Sequence, residues 1–264
     1  MADLQSNEPQ IIKSLIVMRH GERIDSSNLQ NNVQILPKYD PELTEKGNEL
    51  AKDIGIQIAT KFRAYIDNNG IKLYSSPFTR TLESAISMRN SMQTIIKNKN
   101  NQELIVLNDI GEYNMYSYDI YPITLYYLNG KKEKETKLYE QLIINKIKKS
   151  DINYDIKSID YGEVRFPESQ EEAHLRYESV IKRLISEMKG KTGYLIILMT
   201  HGEGVCAAGK YLHSLIKDNN EKKKHEDYFN NITGYNQPFC NSLCFKLNKN
   251  SEVSYCCNII PNNL

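Results

Sequence analysis

Long hydrophobic runs are missing from this sequence. The longest, around Leu15–Met18 and Leu195–Met199, are far too short to span a bilayer as a helix. An excess of charge of one sign is missing too. Thirty-four Lys and Arg against 33 Asp and Glu leave a formal net charge of +1, so bulk charge does not draw the chain to nucleic acid or an anionic membrane. Any preference for anions has to come from a local cluster of cations. Cysteine is sparse: Cys206, Cys240, Cys244, Cys256 and Cys257 are an odd number in clustered positions, which excludes a disulfide framework. The last four are irregularly spaced with no histidine nearby, so reduced thiols buried in strands are expected rather than a zinc site. The opening MADLQSNEPQ lacks the basic start and apolar stretch of a secretory signal, which makes a cytoplasmic setting the expectation.

What is present is ordinary for a globular protein: 40% hydrophobic and 25% charged residues over 264 positions. Four short, continuous apolar runs, Ser14–Met18, Lys72–Ser75, Leu104–Leu107 and Tyr194–Met199, read as strands of a mostly parallel sheet covered on both faces. Helical patterns lie between them. Thr44 is placed to cap a helix whose Leu50, Ile54 and Ile58 share a face. Arg80–Lys97 is a second helix. A third carries the apolar stripe Ala173, Tyr177, Val180, Ile181, Leu184, Ile185 and Met188, and a fourth runs from Gly204 to Leu215. SLCFKL and EVSYCCNII flank a KNS turn and predict an antiparallel hairpin at the sheet edge. The class is therefore α/β, three-layered, as a single domain over residues 1–264. The segment 113–167 is too long for an ordinary connection and is expected to form an inserted cap. Its KKEKETK run and the charged stretch Lys217–Asp227 read as solvated surface, as do His174, His213 and His225.

Three of the strand candidates end in polar clusters: Arg19, His20, Gly21, Glu22, Arg23; then Phe78, Thr79, Arg80; then Thr200, His201, Gly202, Glu203, Gly204. Ligands of open α/β sheets bind beyond the carboxyl ends of the strands, so these clusters can converge on one pocket. Three arginines and two histidines repel one another unless an anion sits between them. Arginine holds phosphate oxygens in a planar fork, and two of the clusters lead into helices, whose free N–H groups favour phosphate. Histidine attacks phosphorus covalently. Neighbouring cations keep the His20 imidazole neutral and stabilise the transferring phosphoryl group. The leaving alkoxide needs a proton. Glu112 is the candidate donor because it ends a strand of its own; Glu22, Glu203 and Glu168 are its competitors. Arginine and histidine supply the positive charge, so neither metal nor organic cofactor is called for.

RHGE at Arg19–Glu22, LTEKG at Leu43–Gly47, SSPFTRTLESA at Ser75–Ala85 and THGEG at Thr200–Gly204 resemble, in order and spacing, the histidine phosphatase superfamily in its phosphoglycerate mutase-like branch. The resemblance runs from about Ser14 to Ala208. It implies that His20 is phosphorylated, that Arg19, Arg80 and His201 hold the phosphoryl group, and that Glu112 is the proton donor. Within that branch, RHGERID with DPELTEKG is most similar to the phosphatase domain of the suppressor of T-cell-receptor signalling proteins. That likeness implies a phosphate contact for Arg23 and supports Glu112, through NDIGEYNMYSY. Glycolytic mutases of the branch carry a Trp-Asn pair after the first motif and Asn after the second histidine's glycine. This chain has no tryptophan and has Glu203 there.

The expected function is metal-independent phosphomonoester hydrolysis through phospho-His20. The alternatives are a phosphoglycerate mutase, a sugar bisphosphatase, and a non-catalytic phosphate-binding scaffold. The expected substrate is a phosphorylated small molecule or a phosphotyrosine-type aryl phosphate, the latter favoured by Tyr113, Tyr116, Tyr118, Tyr121, Tyr126 and Tyr127. No nucleic acid or membrane partner is expected, and a homodimer stays open.

Overall fold

The computed structural model describes residues 13–26, 41–97, 102–113, 156–160, 168–188, 194–229, 238–248 and 252–262. Among them seven strands form one sheet: β1 (Lys13–Arg19), β2 (Ile71–Ser75), β3 (Gln102–Leu107), β4 (Ile156–Asp160), β5 (Tyr194–Thr200), β6 (Ser242–Leu247) and β7 (Val253–Ile259). The order is β4-β3-β2-β5-β1-β6-β7. The first five in that order run parallel, and β6 closes antiparallel on β1 with β7 at the edge. The described helices are α1 (Glu45–Asn69), α2 (Thr79–Met92), α3 (Gln170–Met188), α4 (Gly202–Ser214) and α5 (Asn219–Phe229).

The apolar runs alternate between the two faces. Ile16 and Met18 of β1 join Leu50, Ile54 and Ile58 of α1 and Leu82 and Ile86 of α2 in one core layer. Leu15 and Val17 join Tyr177, Ile181 and Leu184 of α3 and Val205 and Leu212 of α4 in the other. Three layers result, as the uninterrupted runs predict. Thr44 caps α1, its Oγ accepting from the Gly47 amide at 2.9 Å.

Three expectations need correction. β4 lies inside the segment 113–167, so part of that segment belongs to the sheet; residues 114–155 and 161–167 lie outside the described residues. Helix α2 stops at Met92, short of Lys97. His225 is not solvated: on the inner face of α5 it is fully buried, between Phe245 and Tyr255 and stacked on His213. His174 is likewise engaged, hydrogen-bonded to Glu203. No helix among the described residues is long and apolar enough to cross a membrane.

Candidate active site

Because β1, β5, β2 and β3 are parallel neighbours, their carboxyl ends open on one edge of the sheet. Arg19 pairs with Thr200 and Ser75 with Met199 in register, so the residues that follow meet there. His20 follows β1, Ser76 and Arg80 follow β2, His201 follows β5, and Glu112 follows β3 after a short 3-10 turn at Asn108–Ile110.

The backbone of His20 is held from two sides. Its amide donates to the Thr200 carbonyl at 3.0 Å, and its carbonyl accepts from the Cys240 amide at 3.1 Å. The next residue is fixed as well: the Gly21 amide donates to Ser84 Oγ at 2.8 Å, and that hydroxyl donates onward to the Arg80 carbonyl at 2.7 Å. Gly21 must be glycine. A Cβ there would lie 2.4 Å from the Gly47 carbonyl oxygen, so the loop seats directly on the start of α1.

The His20 side chain is buried, and its Nδ1 lies 2.7 Å from the Gly21 carbonyl. A carbonyl can only accept, so Nδ1 carries the hydrogen and Nε2 keeps the lone pair. Burial, then Arg80, His201 and Arg19, hold the His20 pKa well below the ordinary 6.5. The ring is therefore neutral and nucleophilic at pH 7. Its centroid stands 5.4 Å from that of His201, edge to face.

Arg80 is buried, with its guanidinium 4.4 Å from the Phe78 ring centroid. Its Nη2 donates to Glu112 Oε2 at 2.9 Å and lies 3.2 Å from His201 Nδ1. His201 is fully buried. Its Nε2 meets Ser76 Oγ at 2.8 Å and its Nδ1 lies 3.1 Å from Glu112 Oε2. Burial lowers the His201 pKa to about 4 against the upward pull of Glu112. Burial alone would raise the Glu112 carboxyl, but His201, Arg80 and His20 outweigh it and hold it well below its usual range. Arg19 sits 4.3 Å from the Phe239 ring centroid, and its pKa is brought down to about 10 by burial and by the neighbouring Arg23 and Arg80.

Five of the six sequence-predicted residues, Arg19, His20, Arg80, Glu112 and His201, thus come together. Arg23 stands at the rim, paired with Asp25 at 2.9 Å, near enough for its charge to act on Arg19 and His201. The competing carboxylates are occupied elsewhere: Glu22 with Thr44, Glu203 with His174 and Gln170, and Glu168 with Arg176.

Sequence reasoning missed the supports of Glu112. The Tyr177 hydroxyl donates to the Gly111 carbonyl at 2.6 Å, Thr200 Oγ donates to the Ile110 carbonyl at 2.7 Å, and Arg176 Nη1 donates to the Asp109 carbonyl at 2.7 Å. Tyr177 was visible only as a member of the apolar stripe of α3. Its hydroxyl, on a fully buried ring, is the signal that a partner had to exist. Ser76 stood in the SSPFTR motif, but nothing in the motif tied it to His201.

His20, Glu112 and His201 offer ligand atoms within 4.8 Å of one another, a spacing that could hold a metal ion. The Arg80 guanidinium already contacts both Glu112 and His201, however, and Arg19 adds a second positive charge. The set suits an anion better than a divalent cation.

No protein-family model matches the chain, and no curated protein matches it either. Solved structures do. The ecdysone phosphate phosphatase of Bombix mori, in complex with tungstate, superposes with a TM-score of 0.58 at 17% identity, covering 92% of each chain. The phosphoserine phosphatase of Entamoeba histolytica, in complex with 3-phosphoglyceric acid, gives 0.50 at 18% identity over 94% of this chain and 96% of its own. A phosphoglycerate mutase from Bacillus anthracis gives 0.50 at 16% identity over 94% and 92%. The chain has the phosphoglycerate mutase-like α/β fold.

Proposed function

We propose that this chain is a phosphatase that hydrolyses phosphomonoesters through a phosphohistidine formed on His20 Nε2. The observation that carries the reading is the buried, neutral imidazole of His20, with its tautomer set by the Gly21 carbonyl, among Arg19, Arg80 and His201. Arg19, Arg80 and His201, with Arg23 at the rim, would hold the phosphoryl oxygens. The tungstate-bound phosphatase and the phosphoserine phosphatase that share the fold are consistent with this.

In the first step the His20 Nε2 lone pair forms a bond to phosphorus while the ester P–O bond breaks. Glu112 gives a proton to the leaving oxygen and later removes one from the attacking water. Without substrate the cations hold Glu112 as a carboxylate on Arg80. An entering phosphate dianion competes for Arg80 and His201, and its charge raises the carboxyl pKa, which makes Glu112 a donor only when substrate is bound.

The catalytic unit is read as one domain acting in the cytoplasm on a small phosphorylated molecule or an aryl phosphate. The likeness of RHGERID and DPELTEKG to the suppressor of T-cell-receptor signalling phosphatases favours an aryl phosphate among these. The test is steady-state hydrolysis of a generic aryl phosphate without added metal, with acid-labile phosphate trapped on the protein. Turnover and trapped phosphate that both disappear in His20→Ala support the mechanism. Turnover that persists in His20→Ala means that another group is the nucleophile. Folded wild type that binds phosphate but does not turn over points to a mutase of narrow specificity or to a scaffold.

A further inference from the structure

Three of the five cysteines sit on the β6–β7 hairpin. Successive strand residues point to opposite faces, so Cys256 and Cys257 should not share one. The register changes at this point: Cys244 pairs with Cys257, whereas Phe245 pairs with Tyr255, which leaves Cys256 as the extra residue of a β-bulge. The bulge brings both thiols to the side of Cys244, and the three sulfurs lie within 4.8 Å of one another. Cys240 is not one of the group, and all five thiols are free.

A cation completes the cluster. Lys61 of α1 donates to Cys257 Sγ at 2.9 Å. Two further contacts fasten the end of the hairpin to the same helix: Gln57 Nε2 donates to the Ile260 carbonyl at 3.0 Å, and the Asn262 amide donates to Asp53 at 2.7 Å. Cys244 is buried, while Cys256 and Cys257 are half-buried, so the cluster has a closed floor and an open side.

We propose that Cys244, Cys256 and Cys257 form a binding site for a thiophilic divalent ion of the zinc type, with its fourth position open to solvent. Tetrahedral zinc–thiolate bonds of about 2.3 Å place their sulfurs about 3.8 Å apart, within the observed spacing. Charge balances as well: three thiolates, one divalent cation and the Lys61 ammonium sum to zero, which a half-buried site requires. Binding breaks the S–H bonds of the protonated thiols, forms three metal–sulfur bonds and releases those protons to solvent. A disulfide between the directly opposed Cys244 and Cys257 would use neither the bulge nor the third thiol. The site is separate from His20: Cys244 pairs with Ile16, four residues and about 13 Å along β1 from the nucleophile.

The test titrates the reduced, metal-free full chain with Cd2+, then with Zn2+ as competitor. One equivalent of Cd2+ should produce a thiolate charge-transfer band in the ultraviolet with release of protons, and Zn2+ should then displace it without further proton release. Cys256→Ser and Cys257→Ser should weaken binding by more than the about 10- to 100-fold typical of losing an outer-shell partner, and Lys61→Met by about tenfold. His20→Asn should leave the band intact. On the wild type, bound Zn2+ should protect all three thiols from alkylation, read by mass spectrometry; this arm does not depend on any variant folding. No band, a band unchanged in Cys256→Ser, or protection of two thiols only would overturn the proposal.

Discussion

The Nδ1–H of His20 has one acceptor, the Gly21 carbonyl, and that contact decides which nitrogen is free to react. Burial is the larger influence on the ring's pKa, and the charges of Arg80, His201 and Arg19 add to it in the same direction. The sign for a substitution follows. Arg19→Met removes a cation that disfavours imidazolium, so the His20 pKa should rise toward 6.5 without reaching it. An NMR titration of the ring resonances measures this directly. In wild type the ring should show no protonation step near 6.5. Glu112 makes a different prediction. A general acid contributes about 10² to 10⁴ to rate, and it matters most when the leaving group is basic. Glu112→Gln should therefore lose kcat by about that factor on an alkyl phosphate and far less on an activated aryl phosphate. Equal losses on both would assign Glu112 to holding Arg80 and His201 rather than to proton transfer.

Elements place these side chains through close backbone contacts, and one pair is open to test. A Cβ on Gly47 would lie 2.3 Å from the Glu22 carbonyl oxygen and 2.7 Å from its amide nitrogen. Neither can give way without moving the His20 loop. Gly47→Ala should cost about 1–3 kcal/mol through overpacking, seen as a lower denaturant midpoint, and kcat should fall although no catalytic side chain has changed. Much at this scale was legible beforehand. The apolar runs of β1, β2, β3 and β5, the Thr44 cap and the stripe of α3 obey local rules of period and capping, and the clusters at the strand ends follow from them. Other features depend on partners distant in the chain. Strand β4, IKSID, is a short alternating segment within a stretch rich in Tyr, Lys and Asn, and only pairing with β3 identifies it. The three-thiol cluster needs a bulge, which breaks the period-two rule by which strand faces are read. Tyr177 had the right period but concealed a polar task, because a hydroxyl's partner cannot be inferred from its neighbours in sequence.

Across the molecule, three buried histidines with lowered pKa values tie folding to pH. His20 and His201 belong to the site; His225 lies elsewhere, on the inner face of α5, where burial and then the adjacent His213 bring its pKa to about 4. In the unfolded chain each titrates near 6.5. Between about pH 6.5 and 4 the unfolded state therefore binds more protons than the native state, and stability must fall as pH falls through that window. Above it, all three are neutral in both states and add no slope. A shift from 6.5 to about 4 at His225 corresponds to at most about 3 kcal/mol lost on full acidification. His225→Gln removes the titrating group while keeping a polar side chain of similar reach. Its stability at pH 7 should be lower than wild type, because it fits less well among Phe245, Tyr255 and His213. Its further loss between pH 7 and pH 4 should be smaller than that of wild type by up to that amount. Urea unfolding of both proteins at the two pH values measures the difference. Parallel pH dependences would show that His225 is protonated in the native state as readily as in the unfolded chain, with the acid sensitivity then residing in His20 and His201 alone.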